Sequence, residues 1–184
     1  VTLYSQDSFT VTYHLIDEES SVFTRLYSCD FNDGTTQGWS AVSKFLASVY
    51  RQPSVSASST YYRSFQYSLK LTPGMDHWVS EGYHLYRYVA TAYRKSFNVS
   101  ELFAEAYLVY SIRSGKWISM GVDFDGLTRF KMDVMPTNNR WYQFAIPLPT
   151  NKTTEVTIWA IDYDGPYSAK EYFAYLDDVV VIAK

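Results

Sequence analysis

Apolar and polar residues alternate with a period of two over most of this chain, the spacing of strands whose successive side chains point to opposite faces. Residues 9–16 and 22–27 are two such runs, separated by an acidic, serine-containing link. Within 61–71 the alternation is strict, with Phe65, Tyr67, Leu69 and Leu71 on one face, and Pro73-Gly74 ends it. Residues 76–94 read as one long strand or two, and 102–112 as a long buried one. Ser114-Gly115 signals a hairpin into 117–124, and Asp125-Gly126 a second into 128–134. Segments 140–148, 156–161 and 172–182 complete the series. The stretch 40–50 has helical as well as strand character, and its poor capping signals assign it to a strand. The Ser-rich 53–60 reads as a loop. Many strands, short turns and no convincing helix predict an all-β fold, an antiparallel β-sandwich.

Composition sharpens this. With 184 residues the chain is long enough for one good core. Aromatics make up 18% of it, including 18 Tyr, against 19% charged residues. Tyr suits half-buried strands, and it equally suits platforms on which flat ligands such as sugar rings stack. A net charge of −3 and the lack of any Lys/Arg run exclude a phosphate track for nucleic acid. A single cysteine, Cys29, excludes an internal disulfide, and its neighbours Tyr27 and Phe31 predict a buried, inert thiol. No apolar run reaches the roughly 18 residues of a membrane-spanning helix. The start at Val1 rather than Met reads as a piece excised from a longer protein.

The stretch Asp30-Phe31-Asn32-Asp33-Gly34-Thr35-Thr36-Gln37-Gly38-Trp39 sets a core-type ring between two oxygen donors, then an Asp-Gly turn, then Gly-Trp. Asp30 and Asn32 share one side of an extended segment, a side suited to a hard cation such as calcium. The run resembles the opening strand of carbohydrate-binding modules with a jelly-roll β-sandwich fold. These are of the galactose-binding-like type attached to xylanases and glucanases. The closing run Tyr175-Leu176-Asp177-Asp178-Val179-Val180-Val181-Ile182 resembles their last strand. The resemblance implies a carbohydrate-binding domain over 28–184, with 1–27 as extra strands or an upstream tail. It also implies a structural calcium tying Asn32 to Asp177. An acidic residue is usual where Asn32 stands, which shifts weight to Asp30. Trp39 and Trp141 fall where those modules keep core aromatics.

A pyranose presents an apolar C–H face to an indole or phenol, while neighbouring polar side chains bind its hydroxyls. Trp78, Trp117 and Trp159 are the ligand candidates on that ground. Trp159 alternates with Ile158 and Ala160, so it points outward if those two point in. Tyr83, Tyr86, Tyr88 and Tyr163 are supporting rings, with Glu81, Arg87 and Asp162 as hydrogen-bonding partners. Catalytic signals are weak. Glu81, Glu101 and Glu105 share no motif, and the three histidines lack zinc spacing. The sequons at Asn98 and Asn151 suit a secreted or cell-surface protein. The expectation is a non-catalytic module that binds a polysaccharide or oligosaccharide and is joined to an enzyme or surface domain. A structural or adhesion β-sandwich remains an alternative. So does a jelly-roll glycoside hydrolase or polysaccharide lyase, which needs two facing carboxylates in a groove.

Overall fold

A computed structural model describes residues 2–4, 10–12, 23–44, 46, 49–80, 83–100, 102–114, 118–135, 140–164 and 173–184. The short strands β1 (Thr2–Tyr4) and β2 (Thr10–Thr12) pair with each other and, among the described residues, with no other strand. The sandwich begins with β3 (Thr24–Cys29), so it takes in residues just before position 28. There follow β4 (Val49–Arg51), β5 (Ser54–Ser58), β6 (Ser68–Thr72), β7 (Gly74–Ser80) and β8 (Tyr83–Val99). The remainder are β9 (Ala106–Ser114), β10 (Ile118–Phe124), β11 (Leu127–Met135), β12 (Tyr142–Pro147), β13 (Lys152–Asp164) and β14 (Ala174–Ala183).

Two antiparallel sheets result, as the alternation predicts. One has the order β11-β10-β13-β8-β7-β4, the other β12-β9-β14-β6-β5, with β3 also on β14. The core lies between them. Ala90, Ala92, Met120, Val122, Val156 and Ile158 from the first sheet meet Leu69, Leu108, Ile112, Phe144, Leu176 and Val181 from the second. They follow the period-two alternation of their strands, except that a bulge in β14 shifts the phase between Leu176 and Val181. Asp125 and Gly126 both take positive φ, at 52° and 79°, the backbone that closes a tight hairpin between β10 and β11.

Strand β14 organises the second sheet. One edge pairs with β9; the other pairs with β6 at Ala174–Leu176 and then with β3 from Val179 onward. A bulge marks the handover, with Asp178 at φ 49°. Cys29 ends β3 opposite Val179, so the stretch from Asp30 starts at that handover point.

Three local expectations change. Residues 40–44 and 46 are not a strand: after an isolated bridge between Ser40 and Tyr93, this strap lies on the outer face of the first sheet. The Ser-rich 54–58 forms strand β5, on the edge of the second sheet, where small polar side chains sit well. Residues 61–67 are a loop rather than the start of β6, which begins at Ser68.

Candidate functional site

Loop 59–67 is held to the outer face of the second sheet by buried polar groups. The Asp177 carboxylate is fully buried; its Oδ2 accepts the backbone N–H groups of Arg63 (2.8 Å) and Ser64 (3.1 Å), and its Oδ1 that of Asp178 (2.9 Å). Burial pushes this carboxyl above the usual Asp range, although the three amides pull the other way. Asn32 Oδ1 accepts the N–H of Gln66 at 3.1 Å. The Arg63 guanidinium donates to Ser111 Oγ and lies 3.7 Å from Asp178. Ser68 Oγ donates to the carbonyl of Tyr61.

So clamped, the loop shows its rings to water. Phe65 is 80% exposed and sits at φ 61°, a left-handed backbone that a bulky residue rarely adopts. Tyr62 is 49% exposed. Tyr61 rests edge-on against Tyr175, centroids 5.0 Å apart, and the Arg113 guanidinium stacks 3.8 Å over the Tyr61 ring. None of these loop residues stands out in the sequence, because Phe65 fits the period of Tyr67, Leu69 and Leu71. The adjacent pair Tyr61-Tyr62, which breaks alternation, is the only local signal.

The residues singled out for calcium do converge, since Asn32 and Asp177 grip opposite ends of one short segment. Their donor sets do not fit the ion. Asp177 turns both oxygens to amide hydrogens, Asn32 Oδ1 does the same, and Asp30 Oδ1 accepts the N–H of Asn32 at 3.1 Å. Each of these donors aims positive charge at the oxygen a cation would need. Among the described residues no group of three acidic, His or Cys side chains could hold a metal.

The aromatic candidates fall mostly on the first sheet. Register brings β7, β8 and β13 side by side, with Asp76 opposite Arg87 and Arg87 opposite Tyr163. Trp78 lies opposite Leu85, and Asp162 opposite Tyr88. The backbones of Trp78, Tyr83, Tyr86, Asp162 and Tyr163 belong to these strands, while Glu81 and Trp117 lie outside the described residues. Tyr88 corrects the expectation: it points inward and is buried in the core. Arg87 is committed to Asp76, with Nη2 2.6 Å from Oδ2.

Trp159 is a second correction. It does point away from the core, as its alternation with Ile158 and Ala160 implies, yet it is only 2% exposed. The strap covers it: Leu46 packs on Trp159, Val89 and Ile161, and Val42 exchanges hydrogen bonds with Thr91 Oγ1. Beneath, the indole Nε1 donates to buried Asp123 Oδ1 at 2.8 Å, and Lys44 reaches down from the strap to pair with Asp123 Oδ2. Trp39 is buried and donates to Tyr27 Oη at 3.2 Å, whereas Trp141 is half-buried. Of the acidic residues weighed for catalysis, Glu105 is engaged by Tyr107 (3.2 Å) and Lys184 (3.4 Å). Glu81 and Glu101 lie outside the described residues.

No family model and no curated protein matches this sequence. Solved structures do. TmCBM61 in complex with β-1,4-galactotriose aligns with a TM-score of 0.52 at 11% identity, over 84% of this chain and 94% of that one. The C-terminal family 22 carbohydrate-binding module of Clostridium thermocellum Xyn10B gives 0.51 at 14%, over 86% and 94%. The K3 cleaved adhesin domain of Lys-gingipain from Porphyromonas gingivalis gives 0.51 at 14%, over 86% and 98%. The fold is that of the jelly-roll carbohydrate-binding modules. Among the described residues of this fold, loop 59–67 carries three exposed rings, Tyr61, Tyr62 and Phe65, and Tyr50 on β4 is a further exposed one.

Proposed function

We propose that this chain is a non-catalytic carbohydrate-binding module whose contact surface is loop 59–67. The observation that carries the reading is Phe65, a ring left bare to water on a backbone that disfavours it. Such a backbone costs about 1–3 kcal/mol, which a glycine there would avoid. A phenyl ring at that position contributes nothing to the core. It offers what a pyranose C–H face needs: a flat apolar surface, immobilised in advance by the Asp177 and Asn32 clamps. Tyr62 adds a second ring with a hydroxyl tip.

Binding of this kind raises the local concentration of whatever the module is joined to, a catalytic or surface domain of a secreted or cell-surface protein. Asn98 and Asn151, both exposed sequon positions, agree with that location. Affinity electrophoresis against β-glucan, xylan, galactan, mannan and starch tests the proposal. Retardation by at least one polymer, lost in Phe65→Ala and Tyr62→Ala, is the expected result. Retardation that survives both substitutions removes the loop from the reading, and release of reducing sugar or unsaturated product replaces it with an enzyme.

A further inference from the structure

We propose that the glycan taken at loop 59–67 is acidic, its uronate carboxylates meeting Arg113 and Lys70; this rests on the carbohydrate-binding reading above. Lys70, Tyr175 and Arg113 form one row across β6, β14 and β9, each a register partner of the next. Two strand spacings separate the two cations, about 10 Å. Tyr61, at the start of the loop, stands on the middle member of this row. Phe65 lies four residues further on, at most about 14 Å of extended chain away. Rings and cations thus fall within the span of a short oligosaccharide.

What distinguishes these cations is how they are held. Arg113 stacks 3.8 Å over Tyr61, and the Lys70 ammonium sits 3.7 Å from the centroid of Phe173. An aromatic face fixes a cation without neutralising it, and leaves its N–H groups pointing outward for another acceptor. Among the described residues neither has a carboxylate at ion-pair distance. On the opposite side of the sandwich Lys44 is paired with Asp123 and Arg87 with Asp76, while Arg94, also stacked on rings, spends an N–H on the carbonyl of Gln37. On the loop's own face, Asp177 spends its oxygens on backbone amides and Asp178 lies by Arg63. A guanidinium fork matches a planar carboxylate in bidentate fashion, so a uronate, stacked by its ring and anchored by its carboxylate, satisfies both parts of this surface.

The test compares the intact chain on polygalacturonate, on the same polymer fully methyl-esterified, and on dextran sulfate. Stronger retardation by the free acid is expected, falling with added salt as exposed charge pairs do. Arg113→Gln should lower affinity for polygalacturonate about tenfold, the size of one charged hydrogen bond, and leave the ester unaffected. Lys70→Gln, at the other end of the row, provides a second variant should Arg113→Gln fail to fold. Equal retention by acid and ester overturns the acidic preference while the carbohydrate reading stands. Dextran sulfate binding as tightly as polygalacturonate also overturns it, since plain charge attraction then suffices. Retention by no polymer, neutral or acidic, overturns both.

Discussion

The Asp177 carboxylate, buried at the bulge of β14, accepts the backbone N–H of Arg63 at 2.8 Å across 114 positions of sequence. Ser64 and Asp178 supply its other two donors. Asp177→Asn replaces one acceptor oxygen by an NH2 that faces amide hydrogens. Leaving buried groups unpaired costs about 1–3 kcal/mol each. A drop of several degrees in Tm and weaker glycan binding should appear together, measured by calorimetry and affinity electrophoresis.

The same residue gives a pH signature. Burial raises the folded-state pKa of Asp177 above its unfolded value, so the folded protein holds this proton more tightly. The resulting stabilisation is fully present below the unfolded pKa and is lost as pH rises through the folded one. Asn does not titrate. The stability gap between wild type and Asp177→Asn should therefore widen as pH falls from 7 towards 4; urea unfolding at a series of pH values checks it, and a gap that narrows contradicts the assignment.

Phe65 separates function from fold. At φ 61°, Phe65→Gly relieves a left-handed backbone worth about 1–3 kcal/mol, while the more flexible unfolded chain offsets about 0.5–1 kcal/mol of that. Thermal stability should hold or rise slightly, and glycan binding should disappear. A large loss of Tm would show that the ring packs after all.

Gly121 lies opposite Trp159 in the register of β10 and β13, with the indole packed over it. A Cβ there would stand 2.2 Å from Trp159 Cζ2 and 2.6 Å from the carbonyl oxygen of Phe130. Neither neighbour is a flexible chain end, so Gly121→Ala should destabilise by about 1–3 kcal/mol or more, as overpacking does. Intrinsic tryptophan fluorescence during urea unfolding reports it.

Calcium offers a direct check of the clamp. With amide hydrogens already on Asp177 and Asn32, neither added calcium nor a chelator should move Tm, since only a ligand of the folded state does so. A chelator-dependent fall would mean that the ion displaces these amides. The Cys29 thiol, pushed up to about 11 by burial, should ignore a thiol reagent at pH 8 until the protein unfolds.

Much of this protein was readable before its coordinates. Period-two alternation marked β8 to β14, because a residue facing the core must be apolar whichever strand it pairs with. Asp125-Gly126 announced its hairpin through backbone chemistry alone, and Cys29, Phe31 and Trp39 went to the interior as their apolar bulk requires. Tertiary structure decided the rest, for a physical reason. Alternation distinguishes two faces of a segment, but it does not say what lies against the outer one. Trp159 points outward and is nevertheless covered by the strap, while Phe65 carries the same pattern and stands in water. Asp177 and Asn32 were legible as a converging pair of oxygens; that they hold a loop depends on contacts more than a hundred and about thirty residues distant, which no local spacing encodes.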